Sequence, residues 1–313
     1  MEDSDIRMIC HHHNLGCHHI RKVIGSFDKE LFIVDNKYLI RTSKKSMTTE
    51  QEKINRIKNL HLVPHILYSS SYIKEEVTYY LIMDYLNGEQ LYSIINNLND
   101  DKMTKIGNEI SFFLTQLHSI KVDKYDIGHY ITIIANQDNW RVGHKKYWDY
   151  IVDGLKKLKL TDTQRSLLKK ANDYIECHIS CLDYQQKPSL LHNDFHYKNI
   201  IISGDSVSGI IDWECSQFGE IDFDLIHLLY WSFFSVSNNN NMEKIFRTVF
   251  ISQMKQHHIL MIEKRLTIYM LEHDFIQLLW CNGSDKDVYT SRIKRCLDGE
   301  LESYIVNLIK TYL

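Results

Sequence analysis

Over the first eighty or so positions, apolar residues come in short blocks separated by polar turns. Leu31-Phe32-Ile33-Val34, then Asp35-Asn36-Lys37, then Tyr38-Leu39-Ile40 predicts a β-hairpin. Thr48 to Leu60 places Ile54, Ile57 and Leu60 on one face of a helix. Val77 to Tyr85 is apolar and aromatic, a strand that ends at Asn87-Gly88. From about residue 90 the period becomes helical. Met103, Ile106, Ile110, Phe113, Leu114 and Leu117 form one stripe. Further helices are predicted over 146–159, 163–183, 223–236, 241–257, 260–281 and 298–312, with Asn238 to Asn241 as a loop. One short β unit interrupts them. Ile200-Ile201-Ile202 reads as a buried strand, 203–208 as a turn and Gly209-Ile210-Ile211 as the returning strand. No internal repeat or heptad array is visible. The pattern predicts an α+β chain, with a small mixed sheet over 1–86 and a larger, mainly helical part over 87–313.

Composition narrows the function. The 313 residues suffice for two lobes, and a net charge of -3 gives no argument for nucleic-acid binding. The seven cysteines, at 10, 17, 177, 181, 215, 281 and 296, form no disulfide framework. That points to a reducing, cytoplasmic setting. The acidic start, Met1-Glu2-Asp3-Ser4-Asp5, is unlike a secretory signal. The most apolar stretch, Leu225 to Val236, falls short of the roughly 20 residues that span a bilayer. The expected partner is a small molecule, not a nucleic acid or a membrane, and the expected state is a monomer or homodimer.

The chemistry concentrates around the short β unit. His192-Asn193-Asp194-Phe195-His196-Tyr197-Lys198-Asn199 is an H-x-D-x-x-x-x-N run, and Asp212 follows two apolar runs later. A kinase site needs one carboxylate to take a hydroxyl proton, and an Asn and a second carboxylate to hold Mg²⁺ beside ATP. Asn199 enters the predicted hairpin and Asp212 leaves it, so the two come within a cross-strand separation of roughly 5 Å. Two oxygen donors that close can share one hard cation. Asp194, just ahead, is the candidate base. A competing reading takes His192, Asp194 and His196 as H-x-D-x-H ligands of Zn²⁺ or Fe²⁺ in a hydrolase. It leaves Asn199 and Asp212 unused.

Most of the chain resembles the aminoglycoside phosphotransferase and choline kinase superfamily, the small-molecule branch of the protein-kinase-like fold. Leu191-His192-Asn193-Asp194-Phe195-His196 is similar to that family's H-G-D-[LF]-H loop, with Asn193 where Gly is usual. Ile211-Asp212-Trp213-Glu214 resembles its I-D-[WF]-E strand end. Gly219-Glu220-Ile221-Asp222-Phe223-Asp224-Leu225 resembles its G-D-P-x-x-D-L segment, with Ile221 in place of Pro. The resemblance implies a bilobal fold and transfer of phosphate from ATP, or GTP, to a hydroxyl. It also implies that Asp224 braces the catalytic loop and caps a helix.

The resemblance extends to a nucleotide lobe. Arg41 ends a strand where the family carries Lys or Arg for the nucleotide phosphates, and its guanidinium can bind them bidentately. Glu50 matches the helix carboxylate that pairs with it, with Glu52 as the fallback. Gly25, in Gly25-Ser26-Phe27-Asp28, is the one turn placed to cover phosphates, since neither G-x-G-x-x-G nor G-x-x-x-x-G-K-[ST] occurs. Tyr80 to Gly88 resembles the M-E-Y-L-x-G hinge, which makes Asp84 and Leu86 candidates for the adenine.

An aminoglycoside or similar antibiotic is the first expected substrate class, and choline, another amino alcohol or a sugar is the alternative. Carboxylates at Asp222, Glu272 and Asp274 would hold a polycation. Trp231, Tyr269 or Trp280 would suit a quaternary ammonium. A nucleotide-binding pseudoenzyme is the reading from a different class, against which the intact Asp194, Asn199 and Asp212 argue. The absence of D-F-G and A-P-E argues against a protein kinase. Cys10 to His19 is rich in potential ligands but lacks paired metal spacing, and reads as a helix end followed by a loop.

Overall fold

The computed structural model describes residues 1–23, 29–73, 76–129, 132–183, 187–234, 240–281 and 285–313. The first ninety residues form α1 (Asp3–His12), β1 (Ile20–Val23), β2 (Lys29–Val34), β3 (Tyr38–Ser43), α2 (Thr48–Ile57), β4 (Ile66–Ile73), β5 (Val77–Asp84) and β6 (Glu89–Gln90). Next come α3 (Leu91–Ile94), α4 (Asp100–His118), β7 (Tyr125–His129), β8 (Thr132–Gln137), α5 (Trp140–Leu155), α6 (Asp162–His178) and β9 (Ser189–Leu191). The chain ends with β10 (Ile200–Ser203), β11 (Ser206–Ile210), β12 (Gln217–Gly219), α7 (Leu225–Phe233), α8 (Asn240–His257), α9 (Ile262–Trp280), α10 (Asp285–Leu297) and α11 (Glu300–Tyr312). Two compact units result. One holds Met1–Ser93 and Lys198–Glu214, the other Ile94–Tyr197 and Cys215–Leu313.

In the first unit an antiparallel sheet runs β1-β2-β3-β5-β4. Strand side chains alternate between faces, and each face has its own task. Phe32, Val34, Ile40, Tyr80 and Ile82 bury against Ile6, Ile9 and Cys10 of α1. Their neighbours Leu31, Ile33, Leu39, Arg41 and Met83 line a cavity. The β10–β11 hairpin joins this unit through β6, with Ile201 opposite Gln90 and Ile202 opposite Glu89. A Cβ at Gly88 would overlap the carbonyl of Ile202, so that approach requires glycine. Ile210 N also donates to Leu62 O at 2.7 Å. These bonds carry the unit past the 86/87 boundary expected from sequence and bring the hairpin into it. The hairpin turn is tighter than expected. Ser203 pairs with Ser206, and Ser206, Val207 and Ser208 are strand.

The second unit is mainly helical. The α4 stripe is buried as its period predicts and packs on α8. Asn99 and Asn139 cap α4 and α5, and Thr161 with Gln164 forms a capping box on α6. The Asn139 cap explains why α5 begins at Trp140, not at 146. α8 opens at Asn240, one residue before the expected helix start and inside the polar run read as a loop, and Asn241 Nδ2 donates to Ile95 O at 2.9 Å. Sequence periodicity missed the β7–β8 hairpin and α10. α10 is highly charged and buries only Arg292, Ile293 and Cys296. No helix among the described residues is long and apolar enough to cross a membrane.

Candidate functional site

The first unit holds a cavity of about 420 Å³. Its apolar wall includes Val23, Leu31, Ile33, Met83, Leu86 and Ile201, a slot suited to a flat ring system. Its charged end gathers Arg41, Lys29, Glu50, Asp212 and Glu214 with Asn199. Glu50, Ile54 and Ile57 share the buried face of α2, which points Glu50 at the sheet. There its carboxylate pairs with Arg41 Nη2, and Arg41 Nη1 lies 3.7 Å from Asp212 Oδ1. Lys29 pairs with Glu214 and lies 4.0 Å from Glu50 Oε2.

Lys29 and Glu214 received no role from the sequence. The signal for Lys29 was there, since Lys29, Leu31 and Ile33 alternate onto one strand face.

The hairpin sets Asn199 beside Asp212. Ile211 N donates to Asn199 O at 2.9 Å, one residue before Asp212. Asp212 has φ +65, left-handed backbone that turns the chain at the strand end, and its side chain is 39% exposed. Trp213 locks the turn by donating from Nε1 to Ile210 O at 2.9 Å. Leu86 lines the cavity and packs over Gly209. The Asp84 amide donates to His65 O, and its carboxylate faces His65 Nδ1 at 3.0 Å. The Asp84 N–H is therefore taken by the sheet, while the residue itself lines the cavity beside Met83 and Leu86. Gly25 lies outside the described residues.

Asp194 belongs to the second unit, on the loop after β9. Asp224 braces that loop as expected. Its carboxylate accepts from Asn193 N at 2.8 Å, His192 N at 3.1 Å and His118 Nε2 at 2.9 Å. Asp224 precedes α7 but makes no side-chain cap bond, so its helix-capping role is not found. Asn193 stands at φ +59, which is why glycine suits this position, and Asn tolerates that region better than most residues. His192 Nδ1 receives the Asp194 amide at 3.3 Å, so the H-x-D-x-H side chains do not form one outward-facing set of metal ligands. His196 Nε2 lies 3.5 Å from Asp194 Oδ1. Burial pushes the Asp194 carboxyl up. The hydrogen bond from His196 and the surrounding imidazoles outweigh that, so it titrates below its usual value.

The expected substrate carboxylates are internal. α9 is buried on nearly every side, and a helix without a polar face belongs in a core. Glu272 pairs with His144 Nδ1 at 2.7 Å, and Asp274 with Arg292 and with His273 Nδ1 at 3.1 Å. Asp222 receives Arg265 Nε and Nη2 at 2.6 and 2.8 Å. None of the three is open to a ligand. Tyr269 is likewise internal, bonded to Trp140 Nε1 at 2.7 Å. Trp231 is half-buried beside His196, while Trp280 closes α9 as a half-buried residue.

The same core carries a pH prediction. Burial, and then the charge of Asp222, push the Glu220 carboxyl up to about 8 against Arg265 and the Tyr125 hydroxyl. The folded protein holds this proton where the unfolded chain, near the ordinary 4.5, does not. Stability from Glu220 is thus full below that value and is lost as pH rises through about 8. Glu220→Gln is expected to flatten the fall in Tm between about pH 5 and 9. Parallel wild-type and variant melting profiles over that range would contradict it.

The sequence profile of the phosphotransferase enzyme family matches residues 35–240. No curated protein matches the chain in sequence. Among solved structures, it is similar to ADP-bound aminoglycoside phosphotransferase APH(2'')-Ib, at 17% identity and a TM-score of 0.66, covering 96% of this chain and 99% of that one. The streptomycin–ATP complex of APH(2'')-IIa gives 17% identity and 0.67, covering 94% and 96%. A mutant of APH(4)-Ia with ADP and hygromycin B gives 14% and 0.68, covering 95% and 97%. An α+β fold shared across these chains and a family profile spanning both units agree. The chain belongs to the phosphotransferase enzyme family, within the superfamily of aminoglycoside phosphotransferases and choline kinases, and is a small-molecule kinase.

Proposed function

We propose that the protein moves the γ-phosphate of ATP to a hydroxyl of a cationic small molecule, an aminoglycoside first among them. The observation that carries the nucleotide reading is the buried Arg41–Glu50 pair at the charged end of an apolar cavity, beside Asn199 and Asp212. Arg41, held by Glu50, binds the nucleotide phosphates, with Lys29 as a second cation. Leu86 packs against the base. Asn199 and the accessible Asp212 are hard oxygen donors at one hairpin end, which fits Mg²⁺. Bound there, the ion would neutralise phosphate charge. Asp194, kept ionised by its imidazole neighbours, orients the acceptor hydroxyl and takes its proton.

ATP is preferred to GTP because related structures hold ADP or ATP. The aminoglycoside reading rests on relatives solved with streptomycin, gentamicin and hygromycin B, not on Glu272 or Asp274. The protein would act as a monomer or homodimer in the cytoplasm, where its seven free cysteines stay reduced. ADP release in Mg·ATP is measured with streptomycin, gentamicin, hygromycin B, choline and simple sugars. At least one aminoglycoside is expected to raise the rate about tenfold or more over the acceptor-free rate. Stimulation by choline or a sugar alone would overturn the substrate class.

A further inference from the structure

Asp194 has a neighbour that lies outside its motif. His227, in the first turn of α7, is buried, and its Nδ1 is 3.7 Å from Asp194 Oδ1. Burial pushes this imidazole down to about 3, so at neutral pH it is uncharged and carries one ring proton. Around it lie the Asp194 and Asp224 carboxylates and the imidazoles of His273 and His196. Asp224 stands three residues before His227, one helical turn away. The start of α7 therefore reaches the catalytic loop twice. Asp224 takes the amides of His192 and Asn193, and His227 faces the carboxylate between them and His196.

We infer that His227 is a positioning residue for Asp194, donating from Nδ1 to Oδ1 and fixing which carboxylate oxygen remains for the acceptor hydroxyl. The inference rests on Asp194 being the base. The separation is longer than a formed hydrogen bond, and catalytic hydrogen bonds often tighten only when substrate is bound. A neutral donor suits this place. It steadies the carboxylate at a smaller loss of basicity than a fixed cation would cause. His196 Nε2 approaches the same oxygen at 3.5 Å but shares the loop with Asp194, whereas His227 is anchored on a helix.

Four variants test this: His227→Asn, His227→Gln, His227→Leu and Asp194→Asn. Each is assayed in Mg·ATP with streptomycin, gentamicin and hygromycin B, and with water as acceptor. His227→Leu is expected to lower kcat about tenfold while KM for ATP stays within about twofold. His227→Asn, whose amide N–H sits at the δ position, is expected to recover most of that loss, and His227→Gln, whose amide sits one atom further out, is not. If His227→Leu does not fold, the Asn-to-Gln contrast decides alone. Full kcat in His227→Leu, or equal rates in the Asn and Gln variants, overturns the inference. With Asp194→Asn inactive, such a result leaves the phosphotransfer reading standing. An Asp194→Asn enzyme at full rate overturns the inference together with the assignment of Asp194 as base.

Discussion

Asparagine at Asp194 is expected to lower kcat by about 10²–10⁴-fold while the dissociation constant for Mg·ATP stays within about twofold. The substitution is isosteric. It keeps the Asp194 amide on His192 Nδ1 and leaves the Asp224 brace untouched, so the loop retains its shape. Only the proton acceptor is lost. Because the surrounding imidazoles hold the carboxyl below its usual value, wild-type kcat/KM is expected to show no acid limb from this group above about pH 5. Single-turnover kinetics with calorimetric nucleotide titration separates the two effects. A variant with more than about a tenth of wild-type kcat would remove Asp194 from the role of base.

The second large effect concerns stability. Arg265→Met strands the Asp222 carboxylate in a core where neither residue reaches solvent. Removing one partner of such a pair costs about 3–5 kcal/mol, because the remaining charge is buried alone. Urea denaturation measures it, and the loss is expected to change little with salt, which screens exposed pairs far more than buried ones. The further change Asp222→Asn in that background should recover part of the loss. A cost below about 1 kcal/mol would mean that the pair is open to water. The same reasoning changes what Glu272 and Asp274 variants report. Charge reversal there places a cation against His144 or Arg292, so unfolding, not a raised KM, is the expected outcome.

What the sequence disclosed, and what it hid, follows from the distance between partners. The Asn199–Asp212 hairpin lies within one short stretch, so spacing alone gave its geometry. Glu50 was legible because Ile54 and Ile57 marked the buried face of its helix. Glu272 was not, since its partner His144 lies 128 positions away on another helix. α9 also offers no polar stripe against which a buried carboxylate would stand out. Lys29 was passed over because a lysine at a strand start usually faces water, although its alternation with Leu31 and Ile33 placed it on the cavity face. His227 was hidden inside an apolar run that read as plain core. The β7–β8 hairpin gave no signal because its second strand, Thr132–Gln137, breaks into polar residues that resemble a loop.

The discontinuity of the first unit bears on how the protein is born. Its five-stranded sheet is fully translated by Asp84, yet one wall of the cavity arrives only with residues 199–214. A ribosome moving at about 5–20 residues per second leaves that wall missing for on the order of ten seconds. In that interval Leu31, Ile33, Leu39 and Met83 lack that wall while the segment 94–197 is still being made. Apolar surface exposed for so long invites chaperone binding and aggregation. A message truncated anywhere between codons 94 and 198 would thus yield a sheet with its sticky face uncovered. Synonymous codons that slow translation across that stretch would lower the yield of active enzyme without altering one amino acid.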